Sequence, residues 1–267
     1  MKILTKDELP KSLNRLNTKV DPEVKSLYAI GETKLLELPK IAIVGSRKAS
    51  VYTKELVSQL ASTLASREIC VVSGAALGVD IAAHTAALGH TIAVFGNGVD
   101  VIYPKSNSNT IKKILQTSLA ISEYPSQTPP LAHHFLQRNR IVVALSQALV
   151  IAQADQQSGT MASANIAQRL GVPIYVLPQR LSESRGSNML LEQGKASLLA
   201  DFEAFSDKFA SNKKALKAQL KDSNDEILRY CKDGAMLDDM LAKFGDIIYE
   251  YELDGKIEIK NLRVFAN

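Results

Sequence analysis

The residues best equipped for chemistry stand in four short loops, each beside an apolar run or a helical one. Gly45-Ser46-Arg47 directly follows the apolar run Ile41-Ala-Ile-Val. Backbone N–H groups at such a helix entrance, with the positive end of the helix dipole, suit an anion. Arg47 adds a planar, permanently charged fork for phosphate oxygens. Ser73-Gly-Ala-Ala-Leu-Gly78, Gly96-Asn-Gly98 and Ser158-Gly159-Thr160 close or open neighbouring elements in the same manner. One strand-Gly-x-Arg turn is often only a tight turn with a surface arginine. Four small-residue loops converging on one sheet edge point to a ligand that carries phosphate.

A second group lies in the stretch from Ser122 to Arg140. Pro125, Pro129 and Pro130 predict an extended loop that delivers Phe135, Arg138, Asn139 and Arg140 just before a helix. An aromatic beside two arginines suits single-stranded nucleic acid: a base stacks on the ring for about 1–3 kcal/mol and the guanidinium groups take phosphates. The opposing reading has Phe135 plugging the core and one arginine paired with Glu123. The residues alone leave both open.

Other chemistries fail on spacing. GxxxxGK[ST] is absent, which argues against a P-loop, and GxGxxG is absent, which argues against ordinary dinucleotide binding. His84, His90, His133 and His134 form no HExxH or HxH pattern, and no cysteine joins them, so neither a metal nor a cofactor is expected. His133-His134 reads as a solvated or phosphate-facing pair, and Cys70 and Cys231 as buried thiols.

These loops need elements to hold them. Ile41–Gly45, Ile69–Gly74 and Thr91–Gly96 are short, β-branched and glycine-terminated, as strands buried on both faces are. Further strands are predicted at Leu119–Glu123, Ala148–Ala154 and Pro173–Leu177. Helices are predicted at Val51–Arg67, capped by Ser50, and at Gly78–Leu88, Asn109–Gln116, Arg138–Ser146 and Thr160–Leu170. Gly89 and Gly171 sit where residues that end helices are expected. Regular βα alternation predicts an α/β fold, a doubly wound, mostly parallel sheet whose ligands sit outside the carboxyl ends of its strands. Residues 1–39 read as a prelude wrapping the sheet edge.

The chain has 267 residues, 46% of them hydrophobic, and a formal net charge of +4 that is unevenly spread. Residues 222–267 hold eleven Asp/Glu against six Lys/Arg, a net of −5, which leaves +9 for residues 1–221. Residues 1–203 are read as the sheet domain and 204–221 as a basic linker helix. Residues 222–267 are read as a small acidic module, in which helices at Asn224–Lys232 and Ala235–Phe244 precede a hairpin turning near Asn261, a winged-helix-like outline. No apolar run approaches the ~18 residues of a spanning helix, and no secretory signal opens the chain, so a cytoplasmic protein without membrane contact is expected.

Seven blocks together carry a resemblance to a known family. They are Ala42-Ile-Val-Gly-Ser-Arg-Lys-Ala-Ser-Val-Tyr52, Ser73-Gly-Ala-Ala-Leu-Gly-Val-Asp80, Gly96-Asn-Gly-Val-Asp-Val-Ile-Tyr-Pro104, Ser122-Glu-Tyr-Pro125, Phe135-Leu-Gln-Arg-Asn-Arg-Ile141, Ser158-Gly-Thr160 and Gly186-Ser-Asn-Met-Leu-Leu191. Over roughly Leu9 to Leu199 the chain resembles the bacterial DNA processing protein A (DprA/Smf) family, tied to natural transformation. The resemblance implies an extended Rossmann-like fold that binds single-stranded DNA without sequence preference, forms a homodimer and loads the RecA recombinase. That would make it a mediator and not a catalyst. It also implies that Gly45, Ser46 and Arg47 form a phosphate pocket, that Phe135 stacks on a base, and that Asn139, Arg140 and the Ser158-Gly159-Thr160 turn complete the wall. Arg138 joins these as a DNA-binding candidate from its place in the loop. Duplex binding is left open.

The chain departs from the family's usual residues at Thr53 and Gln179, where glycine is common, and at Gln153, where glutamate is common. None of these is read as touching the DNA residues. An alternative within related folds is a nucleoside monophosphate phosphoribohydrolase. It is disfavoured because Asp155 is followed by Gln156 and Gln157, leaving no acid beside the Ser158 turn. The crowd of acids at Asp238, Asp239, Asp246, Glu250, Glu252 and Asp254 argues that the C-terminal module meets protein and not duplex DNA.

Overall fold

In a computed structural model of the chain, residues 1–210 are described together with 227–228, 230–231, 233–245, 247–253 and 256–266. The chain divides into two units, Met1–Ser211 and Asn212–Asn267.

The first unit is built on nine strands: β1 (Lys2–Leu4), β2 (Leu27–Gly31), β3 (Lys40–Val44), β4 (Cys70–Ser73), β5 (Thr91–Phe95), β6 (Leu119–Ser122), β7 (Ala148–Ile151), β8 (Ile174–Val176) and β9 (Ser197–Leu198). Seven helices accompany them: α1 (Val51–Ala65), α2 (Val79–Ala86), α3 (Ser108–Thr117), α4 (Ala132–Leu145), α5 (Gly159–Arg169), α6 (Arg185–Glu192) and α7 (Phe202–Asp207). The sheet order is β1-β2-β6-β5-β4-β3-β7-β8-β9. From β6 to β9 all neighbours are parallel, whereas β1 and β2 add antiparallel at the β6 edge. The doubly wound α/β expectation therefore holds. The prelude turns out to be part of the sheet, Tyr28 pairing with Ser122 and Gly31 with Leu119.

Strand alternation builds the core on both faces. Ile41 and Ile43 of β3 pack with Val57, Leu60 and Leu64 of α1 and with Val79 and Ala83 of α2. Ala42 and Val44 face the opposite layer, with Ile141 and Val142 of α4 and Ala164 of α5. Each fully buried Leu or Ile contributes about 1.5–3 kcal/mol, which favours this register because a one-residue slip would exchange the two faces. Cys70 is buried, and burial pushes its thiol up to about 12. Ser50 caps α1, its hydroxyl accepting from Thr53 N–H at 3.1 Å.

Two boundaries differ from expectation in ways that matter. α4 begins at Ala132, not Arg138, so Phe135 is a helical residue and not a loop residue. The prolines at 129 and 130 end just ahead of it, where a helix can begin without losing a hydrogen bond. In the stretch read as a linker, Phe205 and Ala210 belong to the body's core, and α7 is tied to α1 by Arg67, which pairs with Glu203 and with Asp207 at 2.7 Å. Residues 211–221 of that stretch lie outside the described residues, as does part of the helix expected at 224–232.

The second unit has a three-stranded sheet, β10 (Ala235–Met236), β12 (Arg263–Ala266) and β11 (Ile257–Lys260) in that order, with helices Leu237–Phe244 and Ile247–Leu253. The hairpin turns at Asn261 and Leu262, with φ of 51° and 62°, a left-handed pair that asparagine tolerates well. Ile227, Cys231, Met240, Ile248, Tyr251, Ile257 and Val264 form its core. No helix among the described residues is long and apolar enough to cross a membrane.

Candidate nucleic-acid interface

The chain runs from β3 outward through β4, β5 and β6, then returns to lay β7 on the other side of β3. This places a topological switch point between β3 and β7, where a doubly wound sheet opens a crevice at its carboxyl edge. A cavity of about 350 Å³ lies there. Gly45, Ser46 and Arg47 line it from the end of β3, Gly74, Ala76 and Asp80 from the β4–α2 turn, Phe135, Arg138 and Asn139 from α4, and Ser158, Gly159 and Thr160 from the start of α5. Of the sequence-predicted binding residues, all but Arg140 converge on this one cavity.

The arginine loop is held from behind. Ser46 N–H donates to the Gln153 carbonyl at 2.9 Å, and Val79 N–H donates to the Ser46 carbonyl at 3.2 Å. That second bond brings α2 so close that a Cβ on Gly78 would stand 2.2 Å from the Ser46 oxygen. Arg47 itself is exposed and lies at the cavity wall. Opposite, Ser158 caps α5: its hydroxyl accepts from Met161 N–H at 3.3 Å and donates to the Asp155 carbonyl at 2.8 Å. The Ser158 hydroxyl is thereby committed to the turn. What the α5 terminus offers a ligand is the amides of Gly159 and Thr160, ahead of the capped Met161, and its dipole. Asn139 Nδ2 reaches the Gly159 carbonyl at 3.5 Å and ties α4 to this turn.

The cavity floor is charged and buried. Arg138 is only 5% exposed, donates to the Val94 carbonyl, and packs so tightly on Gly74 that a Cβ there would lie 2.2 Å from its Nη1. Its Nε is buried without a partner. Burial pulls the Arg138 guanidinium below its ordinary pKa, while Asp80 pulls it back up. Burial likewise pushes the Asp80 carboxyl up against the pull of Arg138 and of two amide donors, Gly74 N–H at 3.2 Å and Ala76 N–H at 3.4 Å. Behind them His84 is driven down to about 3 by burial and by Arg138, and its Nδ1 meets Thr91 Oγ1 at 2.6 Å. It is neutral at ordinary pH. The ionisable groups left in the floor are thus Arg138 and Asp80, whose burial opposes charge on each while each favours it on the other.

Phe135 is half-buried at the rim, its ring stacked on Tyr103 with centroids 5.6 Å apart. Its neighbour His134 stacks on Tyr124 at 3.9 Å, while His133 is exposed. Burial and His133 hold His134 below the ordinary histidine range.

Arg140 requires a correction. It is buried on the other side of α4, where it grips Glu123 with two bonds of 2.7 Å and the Pro22 carbonyl with a third of 3.2 Å. It lines a separate cavity of about 670 Å³. The cause is helical: residues two apart point about 200° away from each other, so Arg138 and Arg140 cannot share a face. Phe135, Arg138, Asn139 and Val142 follow the i, i+3, i+4, i+7 pattern of a single stripe. Arg140→Met should therefore cost about 3 kcal/mol of stability, by leaving Glu123 without its partner, while the salt slope of nucleic-acid binding stays unchanged. Denaturant unfolding and a salt titration would check the two halves; a reduced slope would return Arg140 to the interface.

Asp80 and Tyr103 were not singled out from sequence as interface residues. The available signal for Asp80 was an acid in the first turn of a helix that follows a glycine-rich loop.

Residues 1–210 match the sequence model of the DNA recombination-mediator protein A family. The chain belongs to that family. Among its relatives in the family, the DNA processing protein DprA of Streptococcus pneumoniae is 37% identical over 188 residues, covering 66% of each chain. Protein Smf of Escherichia coli is 36% identical over 175 residues, 63% of this chain and 47% of that one. The chain spans about half the length of several curated relatives it matches. Among solved structures, DNA processing protein A of Helicobacter pylori, described for its single-stranded DNA binding mode, superposes with a TM-score of 0.73 at 42% identity. It covers 78% of this chain and 95% of that one. The Streptococcus pneumoniae structure superposes with a TM-score of 0.71 at 32% identity, covering 78% and 74%.

For this family member, the positions that depart from the usual residues meet in one network. Thr53 Oγ1 lies 3.1 Å from Gln153 Oε1, and Gln179 Nε2 donates to Thr53 Oγ1 at 3.0 Å. Gln153 Oε1 also accepts from Ser50 N–H at 3.1 Å, and its Nε2 donates to the Glu183 carbonyl at 3.1 Å. Since the Gln153 carbonyl holds the Ser46 amide, the expectation that these residues stay clear of the interface is corrected: Gln153 braces its arginine loop.

Proposed function

We propose that this protein captures single-stranded DNA without sequence preference, one phosphate lying between Arg47 and the start of α5 and one base against the aromatic rim. The observation that carries the reading is the convergence of an exposed arginine, a capped helix N-terminus and a half-buried aromatic on one crevice. Phosphate contacts and stacking carry no base identity, so such a site reads backbone and π-face alone. The Helicobacter pylori relative's binding of single-stranded DNA supports the same assignment. As a recombination mediator, the protein would act as a homodimer that shields incoming strands and hands them to RecA, with no catalytic step. A body that reaches Ala210, basic residues onward to 221 and an acidic module at 222–267 would then separate a DNA face from a protein-docking face.

The test is an anisotropy titration with oligothymidine across a salt series. Arg47→Ala should weaken binding about 10- to 100-fold, as expected for a lost charge-assisted contact, and flatten the salt slope by about 0.7. Phe135→Ala should weaken binding with little change in slope. Equal slopes for the two variants, or no binding by the native protein at low salt, would overturn the assignment.

A second reading is favoured by one observation. Asp155 lines the cavity with Asp80 after all, although its place in the sequence argued against it. An acid beside the glycine-rich Ser158 turn is what a nucleoside monophosphate phosphoribohydrolase would need, and Asp155 is the candidate. Chromatographic detection of free base released from nucleoside monophosphates would establish that reading in place of the first.

A further inference from the structure

We propose that Tyr103 is a second base-stacking surface, so that a bound strand lays one base on its ring while the neighbouring phosphate turns toward Arg47. The proposal rests on the single-strand reading above and deepens it.

Phe135 offers only part of its ring to a base. It is half-buried; a Cβ on Gly96 would stand 2.7 Å from its Cδ1, so that region of the ring lies hard against the β5 end. Tyr103 covers it further, with the two planes 23° from parallel. Tyr103 is itself 43% exposed, so part of its ring faces solvent. Together with Arg47, Leu77 and Phe135 it lines a cleft of about 60 Å³ that shares Arg47, Gly74 and Arg138 with the main cavity. That volume is too small to enclose a nucleobase, so a base would lie across the cleft mouth, on the tyrosine. An aromatic plane beside an exposed arginine is the arrangement that takes one base and its phosphate together. The interaction needs only a π-face, which suits a strand of any sequence, and a purine should gain somewhat more than a pyrimidine because its overlap is larger.

The experiment compares Tyr103→Leu, Tyr103→Ala and Tyr103→Phe with the native protein. Each is titrated with an oligonucleotide and with the same oligonucleotide made abasic. Loss of a stacked base should lower affinity for the base-bearing strand about 5- to 100-fold in the Leu and Ala variants and leave the Phe variant within about twofold. The abasic strand should bind all four proteins alike, and the salt slope should not move. A 2-aminopurine probe should be quenched on binding to the native and Phe proteins and not to the Leu variant. Leu keeps apolar bulk against Phe135, so it remains informative should Ala fail to fold. An equal loss on base-bearing and abasic strands would reduce Tyr103 to a prop for Phe135, and unchanged affinity in the Leu variant would also overturn the proposal. If the native protein binds neither strand, the single-strand reading itself falls.

Discussion

Gly78→Ala should destabilise the protein by about 3 kcal/mol or more and weaken its grip on single strands, although residue 78 need not touch the ligand. Gly78 has φ 77° and ψ −119°, a region nearly closed to residues with a side chain. An added Cβ would also lie 2.2 Å from the Ser46 oxygen and 2.7 Å from the Arg47 carbonyl carbon, both backbone atoms that cannot rotate aside. The strain alone costs about 1–3 kcal/mol, and the clash must be relieved by moving the arginine loop away from α2. Gly89→Ala is the control. Its φ is 89°, yet nothing stands within 4 Å of an added Cβ, so strain alone should cost it about 1–2 kcal/mol and DNA binding should be untouched. Urea midpoints and anisotropy on both variants separate the two contributions. Equal midpoints would show that the close approach of α2 to the Ser46 carbonyl is not a constraint.

Asp80→Ala should be comparably severe, at about 3–5 kcal/mol. It removes the acceptor for two amides, those of Gly74 and Ala76, and leaves the Arg138 charge buried beneath the cavity without its compensating carboxylate. Combining it with Arg138→Met removes the stranded charge, so the double variant should be more stable than Asp80→Ala alone. A calorimetric or denaturant cycle reads this coupling. Strict additivity of the two losses would mean that the charges act independently, and that Arg138 is held by the Val94 carbonyl and Gly74 packing instead.

The two results bear on what kind of site this is. Arg47 is exposed at the cavity wall, whereas Arg138 is buried in the floor and bonded to the Val94 carbonyl.

The parallel strands were legible because each is buried on both faces: continuous runs such as Ile41–Val44 and Ala148–Ile151 cannot be mistaken for solvated segments. The α1 cap was legible for a local reason, the Ser50 hydroxyl meeting an amide three residues on. β1, β2 and β9 were not legible. Each lies at or near an edge of the sheet and is short, and β2 alternates buried with half-buried residues, so no run marks it. The α4 start was misplaced because Pro129 and Pro130 mask an N-terminus that has no side-chain cap.

The sequence by itself determined that β3 ends in a glycine-arginine loop, that α5 opens on a small-residue turn, and that phosphate is the natural ligand of both. These are local facts, settled by residue type within a few positions. Only the tertiary structure decided that strands far apart in the chain bring those loops to one crevice, and that Asp80 and Asp155 join them. It alone separated Arg138 from Arg140, which differ by two positions and point to opposite sides of a helix whose period sequence order does not display.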